Sequence, residues 1–299
     1  MTEARFGRDR YALNVSLVLA GLPVAERPAA AAAAGFGRIE MWWPFSTPDP
    51  TSDEIGAVRD ALSRASVQLV CVNIDGGDHG AGDRGLLADP GRRARCERSV
   101  LAVLRLAADT GCRLVNLPYG NRDPRVPVAL QHRTAYENLR FAAEKAAAEG
   151  VTVLLEPLNS ADNPRYLLPD ADSAARVVER ARKAGAGNVG MLLDVYHVAR
   201  AGQDPVLTIA RHARLIRHVQ FADTPGRSCP GTGDIDFARV WQALLTAGYE
   251  GSVGLEFSPT PDTAASLRAA RRFVGAHPAL VRSGVQRVVS RWNTDFDQK

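Results

Sequence analysis

Eight short apolar runs alternate with eight helical segments along this chain, and this alternation restricts the possible folds more than any other feature. The runs are four to six residues long and rich in leucine and β-branched residues, which is typical of strands buried on both faces. The predicted strands cover residues 12–16, 38–42, 68–73, 114–117, 152–156, 189–194, 217–221 and 252–257. Alternating strands and helices of this kind form parallel sheets covered by helices.

A helical pattern follows each predicted strand. The predicted helices cover residues 23–34, 52–65, 92–110, 132–149, 172–184, 205–214, 237–247 and 263–274. Pro28 lies inside the first of them and predicts a helix that is kinked or that begins near residue 27. Glycine stands after several helices, where a left-handed C-cap is expected; these glycines are Gly35, Gly111, Gly150, Gly185 and Gly248.

The eight units predict an α/β fold of the (β/α)₈ TIM-barrel type, as a single domain. The chain has 299 residues, and such a barrel typically needs about 250. We expect the barrel over residues 11–282, with an N-terminal tail at 1–10 and a C-terminal tail at 283–299. An open doubly wound sheet is the alternative, but no phosphate-binding glycine motif follows any strand. Long polar loops at 44–51, 75–90, 159–170 and 223–234 follow strands, where barrel chemistry is found.

Composition excludes several classes of protein. With 45% hydrophobic and 23% charged residues, the chain is typical of globular proteins. The formal charge is +4, but the basic residues are dispersed, so we expect no nucleic-acid partner. The four cysteines form no C-x-x-C pair, which indicates neither a disulfide scaffold nor a structural zinc. No apolar stretch is long enough for a membrane span, and we expect a cytoplasmic protein without a membrane partner.

Four predicted strands in the second half of the chain each end in an oxygen-bearing side chain: Glu156, Asp194, Gln220 and Glu256. A charged group at the end of a buried strand needs a partner or a metal, because desolvating an unpaired carboxylate is costly. The spacings leave room for one strand and one helix each, so the four residues belong to adjacent units and converge at the barrel mouth. Oxygen ligands favour Mg²⁺ or Mn²⁺. The alternative is that each carboxylate pairs with an arginine or caps a loop.

Carboxylates beside a divalent cation suit proton transfer next to a carbonyl group. The cation polarises the carbonyl oxygen and stabilises the enediolate that forms when a proton is removed. Glu156 and Glu256 lie on different strands and could address different carbons of one substrate. These two glutamates are the candidate acid/base pair.

Several segments resemble the hydroxypyruvate isomerase family within the xylose-isomerase-like barrels. They are NVS at 14–16, GFGRIEMWWP at 35–44, EPLN at 156–159, DVYH at 194–197, QFAD at 220–223, PGR at 225–227, PGTG at 230–233 and EF at 256–257. The similarity extends from about residue 11 to 260. The run from 220 to 233 is its sharpest motif, because the related sugar epimerases usually have a histidine ligand at the position of Gln220.

The resemblance implies a metal held by Glu156, Asp194, Gln220 and Glu256, with Glu156 and Glu256 also acting as the acid/base pair. It implies conversion of hydroxypyruvate into tartronate semialdehyde through an enediol, without an organic cofactor. Isomerisation of a four-carbon 2-oxo acid and epimerisation of a ketose are alternatives on the same fold. A metabolite-binding barrel without activity is a third hypothesis. An endonuclease-like barrel is disfavoured, because such sites use several metals and more histidine ligands.

The substrate-binding candidates lie mostly in the loops after strands. Arg227 would capture the carboxylate of an anionic hydroxy-keto acid. His197, three residues after Asp194, would approach the substrate or orient a carboxylate. His79 and Glu40 complete the predicted substrate-binding set.

Other residues have supporting or open roles. His218 precedes Gln220 by two positions and would lie one layer deeper on the same face of its strand. Trp42 and Trp43 could line the pocket, but packing in the core or between subunits of a homo-oligomer is favoured. The loop at 75–85 keeps the Gly, Asp and Arg character of the family but has His79 where an aromatic residue is common. The chain also departs from the family pattern at Ser228 and Cys229, where the family usually carries a polar or acidic pair.

Overall fold

The computed structural model describes residues 10–277, and within them eight parallel strands close into one barrel in chain order. The strands are β1 Tyr11–Asn14, β2 Arg38–Met41, β3 Gln68–Asn73, β4 Leu114–Asn116, β5 Thr152–Leu155, β6 Val189–Asp194, β7 Ile216–Phe221 and β8 Val253–Leu255. The barrel closes where β8 pairs with β1, with Val253 beside Tyr11. The predicted single-domain TIM barrel is confirmed. Apart from residue 10, the predicted tails lie outside the described residues, as do residues 278–282 of the predicted domain.

Helices follow the strands and form the outer layer of the barrel. Their bounds are α1 Val15–Val18, α2 Arg27–Ala33, α3 Ser52–Ala65, α4 Arg93–Thr110, α5 Val128–Ala148, α6 Ala171–Lys183, α7 Val195–Arg200, α8 Pro205–His212, α9 Phe237–Thr246 and α10 Thr263–Ala276. Eight of them correspond to the predicted helices. The other two, α1 and α7, are too short to produce a helical period in the sequence. Each begins directly after a strand-end residue, Asn14 or Asp194, whose side chain accepts hydrogen bonds from the first backbone N–H groups of the helix.

The helix ends follow local sequence signals. The first predicted helix is divided: a 3₁₀ turn spans Val24–Glu26, and α2 begins at Arg27 with Pro28 in its first turn, as predicted. All five glycines predicted as left-handed C-caps have positive φ angles, between 64° at Gly150 and 96° at Gly185. Short αβ connections of this kind place each new strand beside the previous one.

The hydrophobic core lies between the barrel and the helices. Every residue of β6 is buried, as expected for a strand covered on both faces. On the side where the barrel closes, five aromatic rings from β1, β7, α9 and α10 meet, mostly in edge-to-face contacts; they are Tyr11, Phe221, Phe237, Trp241 and Phe273. The four cysteines are free and buried. Within residues 10–277, none of the helices has both the length and the apolar character needed to cross a membrane.

Candidate active site

The four predicted ligands meet at the mouth of the barrel. Glu156 follows β5, Asp194 ends β6, Gln220 lies in β7 and Glu256 follows β8. These strands are neighbours, and Asp194 and Gln220 are register partners. Because parallel strands end at the same edge of a barrel, residues far apart in sequence are brought together here. All four side chains are buried, with at most 8% of any residue exposed.

Direct contacts connect this cluster. Glu156, Asp194 and His197 each place one potential ligand atom within 4.8 Å of the other two. The Arg227 Nη2 donates to Asp194 Oδ2 at 3.1 Å and to Glu256 Oε1 at 2.6 Å. Arg227 therefore joins Asp194 and Glu256, and Glu156 belongs to the same site through its closeness to Asp194.

Burial gives the carboxyl groups unusual acidities. It raises the pKa of Asp194 to about 6, although the charge of Arg227 opposes this shift. Burial, followed by repulsion from Asp194, raises the pKa of Glu156. Burial also raises the pKa of Glu256 well above its ordinary value, again against the opposing effect of Arg227. Three buried carboxyl groups against one guanidinium leave a deficit of positive charge, which a divalent cation would remove.

The amide of Gln220 also fits a cation. Its Nε2 donates to Glu256 Oε2 at 2.6 Å, while its Oε1 is buried without a donor in the described part of the chain. A buried oxygen without a donor is costly unless something else satisfies it. Three carboxylates and an amide oxygen are the ligands that Mg²⁺ and Mn²⁺ prefer. The residues present therefore fit a hard divalent cation.

His197 lies against Asp194 and borders the same space. Its Nδ1 is 2.7 Å from Asn159 Nδ2 and 3.2 Å from the backbone nitrogen of Asn159. Burial, reinforced by Arg227, lowers the pKa of His197 well below its ordinary value, so the ring is neutral. Because Nδ1 accepts from Asn159, the ring proton lies on Nε2, which is 3.7 Å from Asp194 Oδ2. This geometry suits a group that donates to a carboxylate or to a substrate oxygen.

Glu40, predicted at the substrate, lies instead below the site. Its carboxylate accepts hydrogen bonds from Asn14 and Gln220 and is 2.6 Å from His218 Nε2. Only 2% of Glu40 is exposed. It does not border the cavity at the barrel mouth, because β2 directs it into the barrel interior beside Gly254 of β8. His218 lies in this deeper layer, as its spacing from Gln220 predicts.

Gly254 provides the space for the Glu40 carboxylate, since a Cβ atom at this position would overlap it. We expect Gly254→Ala to lower the free energy of unfolding by about 1–3 kcal/mol, the usual range for overpacking a core. The variant should also lose activity, because Glu40 accepts from the same Gln220 amide that contacts Glu256. Chemical denaturation and steady-state rates measure both effects. Gly187→Ala is the matched control because its Cβ would meet open space, and equal behaviour of the two variants would contradict this prediction.

A cavity of about 430 Å³ opens above the cluster. Among the predicted site residues, it is bordered by Glu156, His197, Glu256, Arg227 and His79. The ring of His79 stacks on Trp42, with 5.3 Å between ring centroids. The sequence favoured a packing role for both tryptophans. Trp43 does pack against Phe45 and the core, whereas Trp42 lines the cavity.

The sequence did not single out several cavity residues. Asp162, Tyr196 and Arg84 line the cavity from three different segments. The Tyr196 hydroxyl donates to Asp162 Oδ2 at 2.6 Å. Asp162 and Arg84 lie in long loops that were predicted to carry chemistry. The loop of Arg84 keeps the Gly, Asp and Arg character of the family, but no role was predicted for Arg84 or Asp162, and Tyr196 belongs to a helix too short to be predicted.

Asp223 organises the loop that carries Arg227. Its buried carboxylate accepts hydrogen bonds from five backbone N–H groups, those of Thr224, Gly231, Thr232, Gly233 and Ile235. Arg227 itself has a positive φ of 56°, and its carbonyl accepts from the backbone N–H of Ser258. Ser228 and Cys229 brace this loop and do not border the cavity. The departure from the family pattern at these two positions therefore lies away from the space that a substrate would enter.

Comparison with known proteins identifies the class to which this fold and site belong. The family of xylose isomerase-like TIM barrels matches residues 28–274. The chain therefore belongs to the xylose isomerase-like TIM-barrel family.

Three relatives narrow this class further. A putative hydroxypyruvate isomerase of Streptomyces coelicolor is 41% identical, over 87% of this chain and 94% of the relative. The 2-oxo-tetronate isomerase of Cupriavidus necator is 32% identical, over 89% of this chain and 99% of the relative. The hydroxypyruvate isomerase of Escherichia coli is 29% identical, over 87% and 97%. The predicted resemblance to hydroxypyruvate isomerases and the prediction that the chain is an isomerase are confirmed.

Solved structures agree with the fold. A crystal structure called AP endonuclease, family 2, from Brucella melitensis is 30% identical, with a TM-score of 0.79 over 89% of this chain and 99% of the other. A 3-keto-D-glucoside 4-epimerase from Escherichia coli shares the fold at 21% identity, with a TM-score of 0.69 over 85% and 94%. The predicted cytoplasmic location and lack of a nucleic-acid partner stay predictions, and a homo-oligomer stays a hypothesis.

Proposed function

We propose that this isomerase interconverts hydroxypyruvate and tartronate semialdehyde. The observation that carries the proposal is the pair of buried glutamates, Glu156 and Glu256, which both border the cavity. Arg227, which also borders it, contacts Glu256 and Asp194. Burial raises the pKa of both carboxyl groups above the ordinary value, which makes each a stronger base for proton transfer. The similarity to named hydroxypyruvate isomerases supports the substrate.

The proposed reaction moves hydrogen between two adjacent carbons. One glutamate removes a proton from C3 of hydroxypyruvate, which gives an enediol spanning C2 and C3. The other returns a proton to C2, and the hydroxyl proton moves from the oxygen on C3 to that on C2. Neutral His197, with its proton on Nε2, can donate to a substrate oxygen during this transfer. No organic cofactor is needed.

Glu156, Asp194, Gln220 and Glu256 are the proposed ligands of Mg²⁺ or Mn²⁺. When bound, the cation would polarise the substrate carbonyl and stabilise negative charge on its oxygens. The residues below and beside the cluster fix these ligands. Asn116 donates to Glu156 at 2.9 Å, and Asn14 donates to Glu256 at 2.7 Å. Such support restricts the orientation of the ligating groups.

Solvent exchange tests the proposed reaction. The purified enzyme with Mg²⁺ or Mn²⁺ is incubated with hydroxypyruvate in D₂O, and the recovered acids are analysed by NMR. We expect deuterium at C3 of hydroxypyruvate and at C2 of tartronate semialdehyde, because each carbon exchanges its proton through an enzyme carboxyl group. Omitting the metal should abolish the exchange. If no small hydroxy-keto acid acquires deuterium, the proposed reaction is excluded.

A four-carbon 2-oxo acid is the second candidate substrate. The 32% identical relative is a 2-oxo-tetronate isomerase, and the cavity of about 430 Å³ has room for either acid. Comparing kcat/KM for hydroxypyruvate and for a 2-oxo-tetronate under the same conditions decides between the two acids. A higher value for the four-carbon acid would replace the first assignment while keeping the chemistry.

Arg227 is proposed to act at the substrate as well as on the carboxylates. We expect Arg227→Ala to raise KM for hydroxypyruvate about tenfold, because a cavity-lining cation is lost together with the restraint on Glu256. Steady-state kinetics measure the change. Arg211→Ala, on the exposed surface of α8, is the control. An unchanged KM in Arg227→Ala would restrict Arg227 to bracing the loop and its two carboxylate partners.

A further inference from the structure

Two guanidinium groups line the cavity, and they differ in their partners. One amino group of Arg227 is engaged by the carboxylates of both Asp194 and Glu256. Arg84 also borders the cavity, but within residues 10–277 no carboxylate lies within ion-pair distance of it. In the described part of the chain, Arg84 is therefore a cation without a carboxylate partner, and it borders the cavity that Glu156 and Glu256 also border.

The hydrogen bonds of Arg84 hold its guanidinium without neutralising it. Its Nε donates to Asn163 Oδ1 at 3.1 Å, and its Nη1 donates to the backbone oxygen of Asp83 at 2.7 Å. Its Nη2 makes no hydrogen bond in the described part of the chain. These partners are neutral acceptors, and they connect the loop after β3 to the loop after β5. A guanidinium held in this way is oriented in advance and keeps donors for a ligand.

The backbone that carries Arg84 is restrained on both sides. Gly85 has a φ of 117°, and a Cβ atom there would overlap the carbonyl of Pro118. The N–H of Gly85 donates to Gly76 at 2.8 Å. On the other side, Asp83 forms an ion pair with Arg92 of the same loop. The position of Arg84 is thus built into the loop and does not depend on the long side chain alone.

The other charges around the cavity do not cancel that of Arg84. Asp162, the remaining acidic residue of the cavity wall, is paired with Arg200 and accepts from Tyr196. His79, on the same loop as Arg84, is uncharged at neutral pH, because burial and then the charge of Arg84 lower its pKa. Glu256 contacts Arg227, and Glu156 is a proposed ligand of the cation. Within residues 10–277, Arg84 is thus the guanidinium of the cavity wall that no carboxylate engages.

We infer that Arg84 binds the carboxylate of the substrate and so selects short 2-oxo acids over neutral ketoses. This inference rests on the proposed isomerase function and specifies the substrate class of the same site. A neutral sugar in the cavity would give the Arg84 guanidinium no charged partner. The carboxylate of a 2-oxo acid would form charge-assisted hydrogen bonds with this guanidinium. Arg227 borders the same cavity but is also engaged by Asp194 and Glu256, so Arg84 is the group that distinguishes the acid from its neutral analogue.

Paired substrates test this inference. Dihydroxyacetone has the carbonyl and hydroxymethyl groups of hydroxypyruvate but a second hydroxymethyl group in place of the carboxylate. With the metal-loaded enzyme, we expect Arg84→Met to lower kcat/KM for hydroxypyruvate about 10- to 100-fold, mainly through KM, which is the scale of a lost charged hydrogen bond. The rate with dihydroxyacetone should change less than about twofold. Arg84→Lys should recover part of the loss, because lysine restores the positive charge but not the paired N–H donors of the guanidinium.

Arg165→Met is the matched control, because Arg165 is an exposed arginine near the same loop that does not border this cavity. It should leave both substrates unaffected. Equal kinetics of Arg84→Met and the unaltered enzyme with hydroxypyruvate would overturn the inference. Equal losses with the acid and with dihydroxyacetone would also overturn it, because they would indicate a general effect on the loop.

A binding measurement separates this inference from the proposed reaction. Pyruvate keeps the carboxylate but lacks the C3 hydroxyl group and does not isomerise, so calorimetric titration of the metal-loaded enzyme with pyruvate reports binding without turnover. We expect Arg84→Met to weaken pyruvate binding at least about tenfold relative to Arg165→Met. If hydroxypyruvate is not turned over but this difference appears, the proposed reaction fails and the role of Arg84 stands. If pyruvate binds equally to both variants, or does not bind the unaltered enzyme, the inference about Arg84 is excluded.

Discussion

Glu156→Gln and Glu256→Gln are each expected to lower kcat at least about 100-fold, the usual scale for losing general acid/base catalysis. Glutamine keeps the shape of the side chain but cannot accept a proton, so the step that each glutamate performs is lost. Glu179→Gln, on the exposed face of α6, is the matched control. Full activity in either site variant would exclude the mechanism with two glutamates.

Exchange in D₂O makes this experiment more specific. If one glutamate serves C3 and the other serves C2, one variant should still exchange the C3 proton of hydroxypyruvate without forming product. The other variant should exchange neither proton when it starts from hydroxypyruvate. NMR of the recovered substrate then assigns each glutamate to its carbon. Identical loss of C3 exchange in both variants would show that the two groups act as one unit.

Asp223→Asn is expected to lower the free energy of unfolding by about 3 kcal/mol and to reduce kcat/KM at least about tenfold. The asparagine keeps one acceptor oxygen, while the Asp223 carboxylate accepts from five backbone N–H groups, three at Oδ2 and two at Oδ1. Each buried donor left without an acceptor costs about 1–3 kcal/mol. Activity falls because the same loop positions Arg227 against Glu256. Chemical denaturation and steady-state kinetics measure the two effects.

Asp234→Asn is the control for Asp223→Asn, since Asp234 lies in the same loop with an exposed side chain. Its backbone N–H donates to Thr224, and this bond does not depend on the side chain. Unchanged stability in Asp223→Asn would mean that the loop is held by its other contacts. A loss of stability with full activity would separate the loop from the positioning of Arg227.

Local sequence was sufficient for the elements of the barrel. Continuous apolar runs, helical periods and terminal glycines are properties of neighbouring residues, so β3, β6 and α3 have the predicted bounds. The short helix α7 was missed because six residues give no measurable period, and it forms because Asp194 caps it.

The candidate site was predictable only in part. A polar residue at the end of a buried strand is visible in sequence, because parallel strands of a barrel all end at the same mouth. Glu40 is also a polar residue in a buried strand, but its side chain lies in the layer below the four ligands, beside Gly254 and His218. The layer that it reaches depends on how β2 and β8 are staggered around the barrel. Arg84 lies in a loop that was predicted to carry chemistry, but its own role could not be predicted from the sequence.

The sequence by itself determined the barrel, the four oxygen-bearing residues at its mouth and the resemblance to isomerases. These follow from the periodicity and spacing of residues along the chain. Only the tertiary structure decided which charged groups lie together. Arg227 is engaged by Asp194 and Glu256, whereas within residues 10–277 Arg84 borders the cavity without a carboxylate partner. Ion pairing depends on distances of a few ångströms between loops far apart in sequence, and those distances are set by the closed barrel.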